Sequence, residues 1–304
     1  TTINLTDTTD AANITFNGNV SATTFNTAAE GYNVIFNGTT STITNLVTFS
    51  NSGSVTFGNG TGDTTTFTGG VTATAPSQVN LAGTIQTTNT LMSLGDAGTP
   101  VVLTANTILS GNTAGAITLG GTVNGAYSLT VNTTGTTTLS GDIGGNTALT
   151  TLTTNTGGTT VISVDIETSS TQTYNDAVTI NGTLDFTGST VQFANTLAGD
   201  DGTGDNLTIS GALDLDGAAT SLTSLTVEGT SNLGADVTTS GTQTYTSGVT
   251  LSGGGDRTLT ASTVNFVDTL AGGTNALTIT GNVDLDGAAT DLSTLSVSGT
   301  SNLG

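Results

Sequence analysis

Gly-Thr-Gln-Thr-Tyr (241–245), Ser-Thr-Val-Asn-Phe (262–266), Ala-Leu-Thr-Ile-Thr-Gly (276–281), Val-Asp-Leu-Asp-Gly-Ala-Ala-Thr (283–290) and Gly-Thr-Ser-Asn-Leu-Gly (299–304) restate an earlier passage of the same chain. That passage offers Thr-Gln-Thr-Tyr (171–174), Ser-Thr-Val-Gln-Phe (189–193), Leu-Thr-Ile-Ser-Gly (207–211), Leu-Asp-Leu-Asp-Gly-Ala-Ala-Thr (213–220) and Gly-Thr-Ser-Asn-Leu-Gly (229–234). The offset is 70 from Gly211 to Gly281, 71 from Thr171 to Thr242 and 73 from Val191 to Val264. A spacing that drifts while the words on either side persist marks a structural unit with tolerant surface turns.

Outward from the two copies, 165–234 and 236–304, the pattern weakens without changing character. Leu149-Thr-Thr-Leu152 matches Leu222-Thr-Ser-Leu225 at an offset of 73, so 101–164 reads as a weaker repeat and 1–100 as divergent coils. Short runs such as Ile14-Thr15-Phe16, Val34-Ile35-Phe36 and Val55-Thr56-Phe57 alternate apolar with polar residues between Gly, Asn, Asp or Ser. Side chains two apart share a face of a strand, and β-branched Thr, Val and Ile with Gly disfavour helix. The chain is all-β with no helices of note. Pro76 and Pro100 fall at apparent turns, where a missing N–H does least harm.

Sandwiches and barrels also use short strands, but a duplication built of shorter look-alike pieces is not their signature. Each copy divides at its turn clusters into about three rungs (236–261, 262–280, 281–304 in the second), each with strands enough for one turn of a parallel β-helix. The whole, 1–304, is expected to be a single β-solenoid of about 13 coils and roughly 60 Å at the usual strand spacing. Its inward ladders should carry Leu207, Ile209, Leu213, Leu215, Leu222, Leu225 and Val227, then Leu277, Ile279, Val283, Leu285, Leu292, Leu295 and Val297. Outward Thr and Asn suit a wet strand face, and rows of them can hydrogen-bond along the axis.

Composition narrows function. The chain of 304 residues has one Arg, no Lys, no His and 22 acids, for a net charge of −21. Neutralising nucleic-acid phosphates or an anionic membrane takes many cations, so neither partner is expected. No cysteine is present for disulfides or thiolate metal sites, and no apolar run is long enough to span a bilayer. Without His or Cys, nucleophilic triads and dyads are excluded. A lyase would have to rely on Arg257, and a hydrolase on paired Asp carboxylates with no aromatic platform beside them. The expectation is no enzyme, no catalytic residue and no organic cofactor.

The one chemistry left is a hard cation. Asp214 and Asp216, with Asp284 and Asp286 in the later copy, alternate with leucine or valine and should face outward together, as candidates to share Ca²⁺. Few ligands accompany them, so a solvated acidic strand before a Gly turn is the better reading. Asp200, Asp201 and Asp205 form a second Ca²⁺ candidate in Asp-Asp-Gly-Thr-Gly-Asp (200–205), an insertion relative to Gly272-Gly273-Thr274; its plainer reading is a mobile acidic loop. Gly60-Thr61-Gly62-Asp63 is a weaker relative of it.

The words Leu129-Thr-Val-Asn-Thr-Thr-Gly-Thr-Thr-Thr-Leu-Ser140 and Leu152-Thr-Thr-Asn-Thr-Gly-Gly-Thr-Thr160, and the pairing of Thr-Gln-Thr-Tyr with Gly248-Val-Thr-Leu251, resemble bacterial β-strand-repeat surface adhesins of the filamentous-haemagglutinin-like and autotransporter-like kinds. That resemblance implies a right-handed helix, secretion to the bacterial cell surface and a structural or adhesive task. It supplies no catalytic residues. Thr1–Asn4 lack the basic and apolar regions of a signal peptide, so the chain is read as a mature or excerpted segment. Two tasks follow: the shaft of an extracellular adhesin or fibre, or a filament or surface-layer subunit assembled end to end. The expected partners are continuing coils or copies of the same protein at the ends, with host or matrix carbohydrate or protein as a further class.

Overall fold

The computed structural model describes residues 1–6 and 9–304. Among these every regular element is a strand, 2 to 11 residues long, and no helix occurs. The local cause is visible in single strands. In Val55–Phe57 the outer two side chains are buried and Thr56 is partly exposed, and Thr171–Tyr174 buries Gln172 and Tyr174 while its threonines face out. Pairing between strands is parallel throughout the registers, and partners come from successive turns: Leu225 pairs with Gln243, 18 residues on, and Met92 with Ile117, 25 residues on. The fold is a parallel β-solenoid of about 14 turns, one more than the sequence spacing suggests. It divides into two compact units, Thr1–Thr160 and Val161–Gly304.

In the first unit, one face stacks Asn13–Phe16, Asn33–Phe36, Val55–Phe57, Val79–Leu81 and Val101–Leu103 in register. The two other faces begin at Thr2–Leu5 and at Ser21–Ala22. Phenylalanine fills the interior of the early turns: Phe25, Phe36, Phe49, Phe57 and Phe67 are at most 1 % exposed, with neighbouring ring centroids 5.2–6.4 Å apart. Edge-on and tilted rings at this spacing add about 0.5–1.5 kcal/mol per pair beyond burial. Pro76 sits in a corner and Pro100 just before Val101–Ser110, and each keeps its carbonyl in use: Pro76 O accepts from Thr99 Oγ1 (2.6 Å) and Pro100 O from Val79 N (2.9 Å).

The second unit holds both close copies, and they do not lie one above the other. Tyr174 stacks on Phe193, Leu215, Leu233 and Leu251. Its counterpart Tyr245 belongs to another ladder, running Ile209, Val227, Tyr245, Phe266, Leu285 and Leu303. From Thr171–Tyr174 to Ser231–Leu233 the chain completes three turns, and Val237–Thr239 adds one more face before Thr242–Tyr245 begins. The repeat therefore advances three turns and two thirds, so the second copy is carried onto a different face. This is tolerated because all three faces ask the same thing of a strand, an apolar residue in and a Thr or Asn out. A word that suits one face suits any.

Leu207, Ile209, Leu213, Leu215, Leu222, Leu225, Val227, Leu277, Ile279, Val283 and Leu285 are all buried, at 6 % exposure or less. Leu292, Leu295 and Val297 are not, and Leu295 is 36 % exposed. They belong to the last turn, which packs against another turn on one side only.

Candidate functional site

Most carboxylates of the second unit serve the turn next to their own. Asp165, Asp236 and Asp256 each accept a main-chain N–H from about one turn later, from Asp185, Thr258 and Ala276 at 2.8–2.9 Å. Asp214 faces outward as its alternation with leucine requires, but both its oxygens are taken: Oδ2 accepts from Gln192 Nε2 (3.0 Å) and Oδ1 from Asn232 Nδ2 (2.8 Å). Asp216 receives the same Gln192 amide at 3.4 Å. In the later copy Asn302 Nδ2 donates to Asp284 Oδ1 at 2.7 Å, and Asp286 lies exposed beyond the strand end. The Asp214 pair thus belongs to an amide ladder along the axis. Similar outward ladders join Asn4 to Asn26 (2.7 Å) and Asn13 to Asn33 (2.8 Å) in the first unit.

Asp200, Asp201 and Asp205 behave differently. One oxygen from each lies within 4.8 Å of the others, the single group of three or more potential metal ligands among the described residues. Asp200 and Asp201 are exposed, but Asp205 is 1 % exposed, immediately before the strand Asn206–Leu215. The cluster is anchored at each member. Asn181 Nδ2 donates to Asp200 Oδ2, Thr203 donates to Asp201 Oδ1 from both N and Oγ1 (2.8 Å each), and Gly182 N donates to Asp205 Oδ1 (3.0 Å). The two Thr203 bonds hold the Asp201 carboxyl below its usual value. Asp205 Oδ2 is buried and has no hydrogen-bond partner. Asp63, in the comparable turn of the first unit, is 6 % exposed and accepts from Asn59 N (2.8 Å) and Gly60 N (3.0 Å) through its Oδ2.

A mobile acidic loop accounts for Asp200 and Asp201 and misses the burial of Asp205. The signal was in the repeat. Asn275 occupies the corresponding place in the later copy, is 9 % exposed and donates to Leu251 O, so both copies put a short polar side chain inward just before a strand.

The structure also explains Thr-Gln-Thr-Tyr, whose glutamine the alternation alone would have left unassigned. Gln172 and Gln243 point inward and are fully buried. Gln172 Nε2 donates to Ile166 O (3.2 Å) and Thr187 O (2.9 Å), and its Oε1 accepts from Tyr174 OH (3.0 Å). Gln243 repeats this with Val237 O (3.1 Å), Thr260 O (3.0 Å) and Tyr245 OH (3.2 Å). Where the backbone rounds a corner its carbonyls leave the ladder and turn inward, and the amide satisfies them. Arg257 does comparable work: it is 7 % exposed, and its guanidinium donates to the main-chain oxygens of Leu233 (3.1 Å), Asp256 (2.8 Å) and Ser252.

Burial pushes the phenols of Tyr174 and Tyr245 well above their ordinary value, with Asp176 adding to the effect at Tyr174. Above pH of about 10 the unfolded phenols lose protons while the native ones keep theirs. The native state then binds more protons than the unfolded one, so stability falls as pH rises. Urea midpoints are expected to decline progressively above pH of about 10, and less steeply in Tyr174→Phe or Tyr245→Phe than in the parent chain.

Elsewhere the surface offers little concavity; a shallow polar depression lined by Thr122, Asn124, Asp142, Gly145 and Asn146 lies in the first unit, where Asn124 Oδ1 accepts from the N–H groups of Asn146 and Thr147 (3.0 Å each). Compared with models of known protein families, with curated proteins and with solved structures, the chain matches none.

Proposed function

We propose that this chain is a structural length of shaft in an extracellular bacterial adhesin or surface fibre, a non-catalytic element that projects or links other parts. The observation that carries the reading is how the polar side chains are spent. Outward Asn, Asp, Gln and Thr bond to the equivalent rows of the next turn, as in Asn13–Asn33 and Gln192–Asp214–Asn232, and buried ones satisfy main-chain corners. Such ladders stiffen each turn against its neighbours and leave few groups converging on a substrate. Arg257, the one basic side chain, is spent in the same way.

The reading is tested on intact producing cells, by immunogold electron microscopy with antibodies to this chain together with the mass of the denatured polypeptide. Label on projections outside the cell, from a polypeptide much larger than 29.7 kDa, is expected. Projections built from many copies of about that mass would favour the end-to-end subunit instead, and label confined to the cytoplasm would overturn both.

A further inference from the structure

The turn from Gly199 to Asp205 combines three features that hydrogen bonding within the protein does not account for. Three carboxylates converge; one of them is almost wholly buried; and its Oδ2 has no donor. A buried carboxylate oxygen without a donor is costly, and the cost grows when two further carboxylates stand beside it. No protein cation relieves it: the chain has no Lys and no His, and its one Arg is bonded to the carbonyls of Leu233, Asp256 and Ser252. A neutral donor is available next door at Asp63, where the turn supplies two N–H groups to the Oδ2, so the omission at Asp205 is particular to this turn.

The space beside the orphan oxygen is also shaped. A Cβ added at Gly199 would lie 2.6 Å from Asp205 Oδ2 and would overlap the carbonyl oxygen of Ser221, which reaches in from the following turn. Two oxygens therefore face a place kept clear by a glycine, with Asp200 next in sequence. Ligands of one Ca²⁺ ion sit about 2.4 Å from it, so any two are separated by at most about 4.8 Å. That is the spread within which the three carboxylates lie. The hydrogen bonds from Asn181, Thr203 and Gly182 each occupy one oxygen of a carboxylate and fix its orientation.

We propose that Asp200, Asp201 and Asp205 bind one divalent cation of the hard, oxygen-seeking class, Ca²⁺ in preference to Mg²⁺, with the Ser221 carbonyl and water completing the shell. An irregular ligand set drawn from a turn and a neighbouring carbonyl suits the flexible coordination of Ca²⁺ better than the strict octahedron of Mg²⁺. The ion ties the 200–205 excursion to the turns on either side of it, through Asn181 and Gly182 before it and Ser221 after it. The site is independent of the shaft reading and would stand if that reading failed.

The test is calorimetric titration of the chelator-stripped chain with CaCl₂ in about 0.15 M salt, which screens diffuse ion binding, with native mass spectrometry for stoichiometry. One Ca²⁺ per chain is expected, with a dissociation constant of about 0.1–1 mM, as in extracellular modules. Mg²⁺ should bind at least tenfold more weakly. Asp200→Asn and Asp201→Asn change exposed residues, keep the fold by circular dichroism, and should each weaken Ca²⁺ at least tenfold; Asp214→Asn should leave it unchanged. Absence of a saturable site at millimolar calcium overturns the proposal. So does binding that Asp201→Asn leaves intact or that Asp214→Asn weakens equally, since either would place calcium on the acidic surface at large.

Discussion

Gly281→Ala is expected to destabilise the second unit by at least about 3 kcal/mol, combining a strained backbone with overpacking against a main-chain atom. Gly281 closes Leu-Thr-Ile-Thr-Gly at a corner inside Ala276–Leu285, with φ of +135°, and a Cβ there would overlap the carbonyl oxygen of Ala261. That oxygen belongs to the backbone of the preceding turn and cannot swing aside as a side chain would. The comparison residue is Gly254, with φ of +66° and nothing near its would-be Cβ, where Gly254→Ala should cost only the left-handed penalty of about 1–2 kcal/mol. Urea unfolding followed by circular dichroism measures both. Equal midpoints for the two variants would contradict the close approach at the corner.

Gln243→Leu is the second large effect. Leucine keeps the bulk and removes the amide, leaving Val237 O, Thr260 O and Tyr245 OH without their buried partner. Each orphaned group costs about 1–3 kcal/mol, so a loss of about 3 kcal/mol or more is expected. Tyr245→Phe alone removes one bond and should cost about 1 kcal/mol. Combined with Gln243→Leu it should add little, because the phenol it removes is already an orphan. A strictly additive pair would mean that the phenol and the amide act separately.

Much of this architecture was legible because alternation is local. Val55–Phe57 or Leu207–Ile209 can be assigned from three residues, and their burial follows. Turn length was less so: insertions such as Asp200–Asp205 change it, which is why about 13 coils became about 14. The displacement of the second copy by two thirds of a turn was not legible at all. An offset of 70–73 residues is compatible with several ways of winding, and the choice is made by how many residues each corner absorbs. Polar residues at inward positions were the other blind spot. Gln172, Gln243 and Arg257 bond to carbonyls that exist only once the corners have formed. Asp205 was grouped correctly with Asp200 and Asp201, but its burial depends on the turn beneath it.

The most direct test of this winding uses the absence of cysteine, which makes engineered thiol pairs unambiguous. Thr226 and Thr244 are register partners on one face, and Asn232 and Thr250 on another. Thr226→Cys/Thr244→Cys and Asn232→Cys/Thr250→Cys should each be bridged within a single chain by oxidation or a short bis-thiol reagent, since neighbouring strands lie about 4.8 Å apart. Asn232→Cys/Thr244→Cys, closer in sequence than either but on different faces, should not. Bridging of that third pair, with none between Thr226 and Thr244, would contradict the winding and the parallel ladders built on it.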